Sequence, residues 1–231
     1  MRKCRVPVGL LALTLTLLLS ACGNAPPVPR WQADAASLAK NYQADWLEGR
    51  DLRARLDFAQ ALRATAATGE PALLAHLYLV QCGLRRAALD WSACTEYAHW
   101  RGANPDPADE AYEQFLDGNW ADLQGAALPH QYAALPALAQ APAERLNRAL
   151  AAIGDPLSRL IAASVALKRG QGDARTLQLA SAAAAQQGWR RPLLAWLKLR
   201  LAAAKERNDT AEETLLAQRI QLVESSFSAK E

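Results

Sequence analysis

From Trp31 onward the apolar positions of this chain return every three or four residues, the period at which side chains share one face of an α-helix. Trp31, Ala35, Leu38 and Tyr42 make one such stripe, and Leu52, Leu56, Ala59 and Leu62 make the next. Gly69-Glu70-Pro71 marks a boundary, with proline at the first position of the following helix, where a missing N–H loses no hydrogen bond. Leu73, Leu74, Leu77 and Val80 give that helix an apolar face, and the pattern stops near Cys82-Gly83. A helix carrying Trp91, Cys94, Tyr97 and Ala98 is expected next, ending before Asn104-Pro105. Asp106-Pro107 is then an N-cap and first-turn pair for a helix bearing Tyr112, Phe115 and Leu116, closed by Asp117-Gly118. The stretch 119–142 loses the period at Gly125, Pro129 and Pro136 and reads as an irregular connection with one or two short helices.

A second helical block follows. Leu146, Ala149, Leu150 and Ile153 line one helix, Leu157, Leu160, Ile161, Ser164 and Leu167 the next, and Asp173 caps an alanine-rich helix running to Gly188. Pro192 opens a helix with Leu193, Trp196 and Leu197, and Leu215, Leu216, Ile220 and Val223 form the stripe of the last one. Thr210 and Glu213 have capping-box spacing at its start. No alternating strand pattern interrupts the series, so the fold class is all-α, one helical domain over residues 31–227. The pairs over 156–188 and 192–225, with small Ala163, Ala180 and Ala184 at close-packing positions, resemble tetratricopeptide helix hairpins. Their aromatic and glycine positions do not align in both pairs, so a hairpin array in the C-terminal half and an irregular bundle both stay open.

Before Trp31 the pattern is different. Arg2, Lys3 and Arg5 precede an apolar region from about Val6 to Leu19, almost unbroken from Leu10 to Leu19, and such a run is shorter than the ~20 residues of a membrane-spanning helix. It stops at Leu19-Ser20-Ala21-Cys22, which resembles the lipobox of bacterial lipoproteins position for position. The resemblance implies that residues 1–21 are a cleaved signal peptide and that Cys22 becomes the acylated first residue, holding the protein on a membrane through its acyl chains. More than one chain is what makes such an anchor stable. Residues 22–30, with Pro26, Pro27 and Pro29, read as an extended tether. Gly23 stands where an inner-membrane lipoprotein of the enteric type has Asp, so the same resemblance implies the outer membrane, facing the periplasm.

This address changes the reading of charge and of cysteine. The chain has 26 Lys and Arg against 23 Asp and Glu, and loss of Arg2, Lys3 and Arg5 leaves the two counts equal. A neutral chain argues against nucleic acid as a partner. Of the four cysteines, Cys4 would leave with the signal and Cys22 would carry lipid. Cys82 and Cys94 then remain as a pair in an oxidising compartment, where a disulfide is expected.

Candidate chemistry is sparse. His76, His99 and His130 are the only histidines, and Cys82, Cys94 and His99 lack the paired short spacings of zinc modules. No metal or cofactor is expected. Asp109-Glu110 with Glu113, and Glu212-Glu213, are the densest acidic groups, but first-turn positions explain them through the helix dipole. Ser164 and Ser181 sit among alanines as packing residues, and Trp189-Arg190-Arg191 reads as a solvated polar corner. The seven tryptophans stand out. Most should fill gaps between helices, while Trp91, Trp100 and Trp120 are candidates for lining a partner groove. No catalytic residue is assigned. The chain is expected to be a non-catalytic helical interaction or scaffold module engaging an envelope protein, the alternative being a peptidoglycan-acting enzyme or small-ligand carrier.

Overall fold

The computed structural model describes residues 28–102 and 104–228, and these contain ten α-helices and no strand. The N-terminal half opens with a hairpin of α1 (Arg30–Leu47) and α2 (Asp51–Ala66), followed by α3 (Pro71–Ala87), the short α4 (Thr95–Trp100) and α5 (Pro107–Asp117). Between α5 and α6 (Ala143–Ala152) only two single-turn 3-10 helices form, Trp120–Leu123 and Pro136–Leu138. The C-terminal half continues as α7 (Pro156–Lys168), α8 (Ala174–Gln187), α9 (Arg190–Glu206) and α10 (Thr210–Ser228), each packed on the one before it. The C-terminal half is thus a serial helical array.

Local chemistry sets the boundaries. Pro71, Pro107 and Pro156 each open a helix. The Asp106 carboxylate accepts from the amides of Ala108 and Asp109, and Asp155 accepts from Ser158. Asp173 and Thr176 close a reciprocal capping box on α8. At the start of α10 the cap is Asp209, accepting from the Glu212 amide at 3.0 Å, rather than Thr210. Gly118, at φ 90°, ends α5 in the left-handed conformation that a side chain would strain.

The centre of the molecule is α7, on which every residue from Leu160 to Ala166 is buried. Its alanines let α3 and α8 approach closely, and Trp196 of α9 reaches into the same core to donate from Nε1 to the Ala87 carbonyl at 2.9 Å. A smaller core under the α1–α2 hairpin gathers Tyr42, Leu47, Ala54, Phe58 and Leu84.

Four boundaries or faces differ from expectation. On α2 the buried stripe is Ala54, Phe58, Ala61 and Thr65, leaving Leu52 65 % and Leu56 53 % exposed. Phe58 decides the rotation: its ring meets Tyr42 at 4.5 Å and Tyr78 at 5.7 Å, burying more area than either leucine offers. The α3 helix does not stop at Gly83 but runs on to Ala87. A Cβ at residue 83 would stand 2.6 Å from the Tyr112 hydroxyl, so this glycine serves close packing and not a break. Trp91 lies in the loop before α4 instead of on a helix. On α10, Leu216 and Ile220 are buried while Leu215 faces solvent.

Candidate functional site

Cys82, buried on α3, and Cys94, at the residue before α4, stand as a disulfide pair with Cα atoms 5.8 Å apart. The chain makes this possible by reversing at Ala88–Asp90, where Leu89 adopts φ 64°. Closing a loop of this separation stabilises a fold by about 3 kcal/mol in the chain-entropy description. The loop is also held from inside by Arg86. Its fully buried guanidinium donates to the carbonyls of Asp90 at 2.8 Å, Ser92 at 2.9 Å and Leu116 at 3.2 Å, and to Asp117 at 3.3 Å.

The structure does not gather the three tryptophans into one groove. Trp120 is completely buried, its ring stacked on Phe115 at 5.3 Å and covered by the Arg169 guanidinium at 4.8 Å, so it lines no surface. This is a correction: in an alanine-rich fold the ring is needed to fill the space under the irregular connection. Arg169 and Gln171, both donating to the Ala139 carbonyl, hold that connection from the end of α7. Trp100 is half-buried against the main core. Trp91 keeps 40 % of its surface exposed and donates from Nε1 to the buried Ser164 hydroxyl at 2.9 Å. Ser181 accepts from Arg200 at 3.1 Å.

Three of the five acidic side chains singled out in the sequence meet a base. Asp109 faces His76 at 2.8 Å, Glu113 faces Arg101 at 3.3 Å, and Glu212 is shared by Arg200 and Arg207 at 2.8 Å each. The hydrogen bond to Asp109 raises the His76 pKa above its ordinary value, against a smaller opposing effect of burial. His76, His99 and His130 are all on exposed positions, and among the described residues no three His, Cys, Asp or Glu side chains converge as metal ligands.

Sequence reasoning missed a cleft of about 1370 Å³. It opens between the α1–α2 turn at Gly49-Arg50, the first turns of α2, the end of α3, the N-terminal half of α9 and Phe227 of α10. Six cationic side chains and two carboxylates line it. Arg190 and Arg191 are not the solvated corner expected from the sequence. Arg190 donates to the carbonyls of Glu48 at 2.8 Å and Ser226 at 2.5 Å and lies over the Phe227 ring at 4.8 Å. Arg191 donates to the Trp46 carbonyl at 2.7 Å, pairs with Asp51 and lies over the Trp46 ring at 4.7 Å. The two guanidiniums thus cap the final carbonyls of α1 and α10, and the folding of these helix ends is what orients them. Arg50 pairs with Asp45 at 2.5 Å and with Glu48. Arg53 and Arg55 are exposed and make no ion pair among the described residues. On the rim, Asp90 is partly buried, which works against its charge. Hydrogen bonds from Ser92 and Arg85 outweigh that and hold its carboxyl at about 2.

Beside the cleft, sharing Asp51 and Arg55 with it, lies a second hollow of about 410 Å³ walled by Tyr42, Trp46, Phe58, Ala59 and Leu62. The signals for this region were present in two separated runs, Arg50-Asp51-Leu52-Arg53-Ala54-Arg55-Leu56 and Trp189-Arg190-Arg191. Nothing in either run alone says that the fold joins them.

Cys22, the signal segment and most of the tether lie outside the described residues. Among the described residues no helix is long and apolar enough to cross a membrane. In comparisons with family models, curated proteins and solved structures, the chain matches none of them.

Proposed function

We propose that this protein is a lipoprotein of the bacterial cell envelope, acylated at Cys22, facing the periplasm from the outer membrane, whose helical domain binds another protein and catalyses no reaction. The address rests on Leu19-Ser20-Ala21-Cys22 behind a short apolar run, with Gly23 after the cysteine. The disulfide pair Cys82–Cys94 agrees with an oxidising compartment. The observation that carries the binding role is the open cleft with its pre-oriented guanidiniums and the exposed Leu52 beside them. Large concave surfaces with fixed polar groups are what recognition uses, and within the densest acidic groups Asp109, Glu113 and Glu212 are engaged in ion pairs.

The test is to assay the purified full chain on isolated peptidoglycan and, separately, to crosslink intact cells through a photoreactive residue at Leu52. The reading expects no release of glycan fragments and a discrete protein adduct. Fragment release that disappears when one carboxylate is changed to its amide would overturn it in favour of an enzyme.

A further inference from the structure

We propose that the cleft between the α1–α2 turn and α9 is a docking site for an acidic segment of a partner protein that carries an apolar anchor side chain. This rests on the reading of the domain as a protein-binding module and gives the partner its chemistry. The chain beyond residue 21 is balanced in charge, and of the six cations around the cleft Arg50, Arg191 and Lys198 are paired with Asp45 and Glu48, with Asp51 and with Glu224, which leaves Arg53, Arg55 and Arg190 without an ion pair among the described residues. Arg190 and Arg191 are fixed by backbone carbonyls and aromatic rings, so their orientation is set before anything binds. Arg53 and Arg55 project from α2, exposed and in no ion pair among the described residues, with Asp57 one turn on the carboxylate that feels the Arg53 charge, and are the groups a partner's carboxylates would reach first. Planar guanidinium forks favour carboxylates in this arrangement. The neighbouring hollow between Trp46, Phe58 and Leu62 accepts an apolar side chain, and Arg55 belongs to both walls.

Two features favour a protein segment over an anionic lipid surface. The cations line a concavity, which an extended or helical segment enters and a flat bilayer does not. The cleft also lies at the C-terminal end of α1, a helix of 18 residues, and so about 27 Å from Arg30, where the chain comes in from the tether.

The experiment measures fluorescence anisotropy of a short fluorescein-labelled peptide of glutamates with a single phenylalanine, added to the full chain in nonionic detergent at low salt. Saturable binding is expected, with no binding of the same peptide made with lysines. Arg53→Glu with Arg55→Glu should weaken binding about tenfold or more, the conversion of roughly 0.7 kcal/mol for each of two exposed ion pairs. Replacing the phenylalanine of the peptide by alanine, which leaves the protein untouched, should also weaken it about tenfold. Unchanged affinity in either case, or no binding at all, overturns the proposal. Displacement of the peptide by phosphatidylglycerol added to the micelles, but not by phosphatidylcholine, also overturns it and assigns the cleft to lipid. Failure of the broader reading registers elsewhere, as peptidoglycan turnover, which none of these arms measures.

Discussion

Arg86 shows how far a single residue can determine the arrangement around it. Its guanidinium is buried, and burial lowers its pKa although the Asp117 charge works against that effect. Such a group is tolerated because its donors are matched to three carbonyls and to the Asp117 carboxylate, which also accepts from Lys168 at 3.2 Å. Arg86→Met should therefore cost about 3 kcal/mol or more in urea unfolding, since it strands buried acceptors. Arg86→Lys should recover little of that loss, because one ammonium cannot replace the fork. His76 offers a milder case. Its pKa is raised by Asp109, so the protonated imidazole stabilises the fold fully below the unfolded value of about 6.5 and loses that contribution as pH rises through the higher folded value. His76 is exposed, which limits the effect to under about 1 kcal/mol. His76→Gln should flatten the stability profile across this range, and a series of urea midpoints taken from mildly acidic to mildly alkaline pH would show whether it does.

At the scale of elements, helix existence was legible because prolines and aspartates mark the starts and the three-to-four period marks the bodies. Which face turns inward was less legible. On α2 the stripes through Leu52 and through Phe58 compete, and only the position of Tyr42 and Tyr78 on neighbouring helices decides between them. Gly83 failed as a boundary signal for the same reason, since its meaning depends on Tyr112, a residue of another helix. Gly83→Ala should accordingly destabilise by about 1–3 kcal/mol through overpacking, although alanine is the better helix former by about 1 kcal/mol. Thermal unfolding of this variant checks the sign. Stabilisation would mean that Tyr112 moves freely, which its stacking on Tyr132 at 5.8 Å opposes.

For the whole molecule, the feature that matters most is assembled from distant parts. Glu48 and Arg190 stand 142 residues apart in sequence, Trp46 and Arg191 stand 145, and only tertiary packing of α9 against the α1–α2 turn places them together. No spacing within either run encodes that meeting, which is why the cleft was invisible in the sequence. The disulfide was legible for the opposite reason, being reached by counting cysteines once two had been assigned elsewhere. The tryptophans fell between these cases: their number marked them, but the burial of Trp120 depends on how the irregular connection folds over it.

The binding proposal and the proposed compartment both depend on where the chain is held, and Cys22 is the residue that decides this. The most direct measurement is the mass spectrum of the full-length gene product purified from membranes, followed by the mass of its N-terminal peptide. The account predicts a chain that begins at Cys22 and carries the added mass of its acyl groups. A chain that retains residues 1–21, or one whose Cys22 is a free, alkylatable thiol, would contradict it.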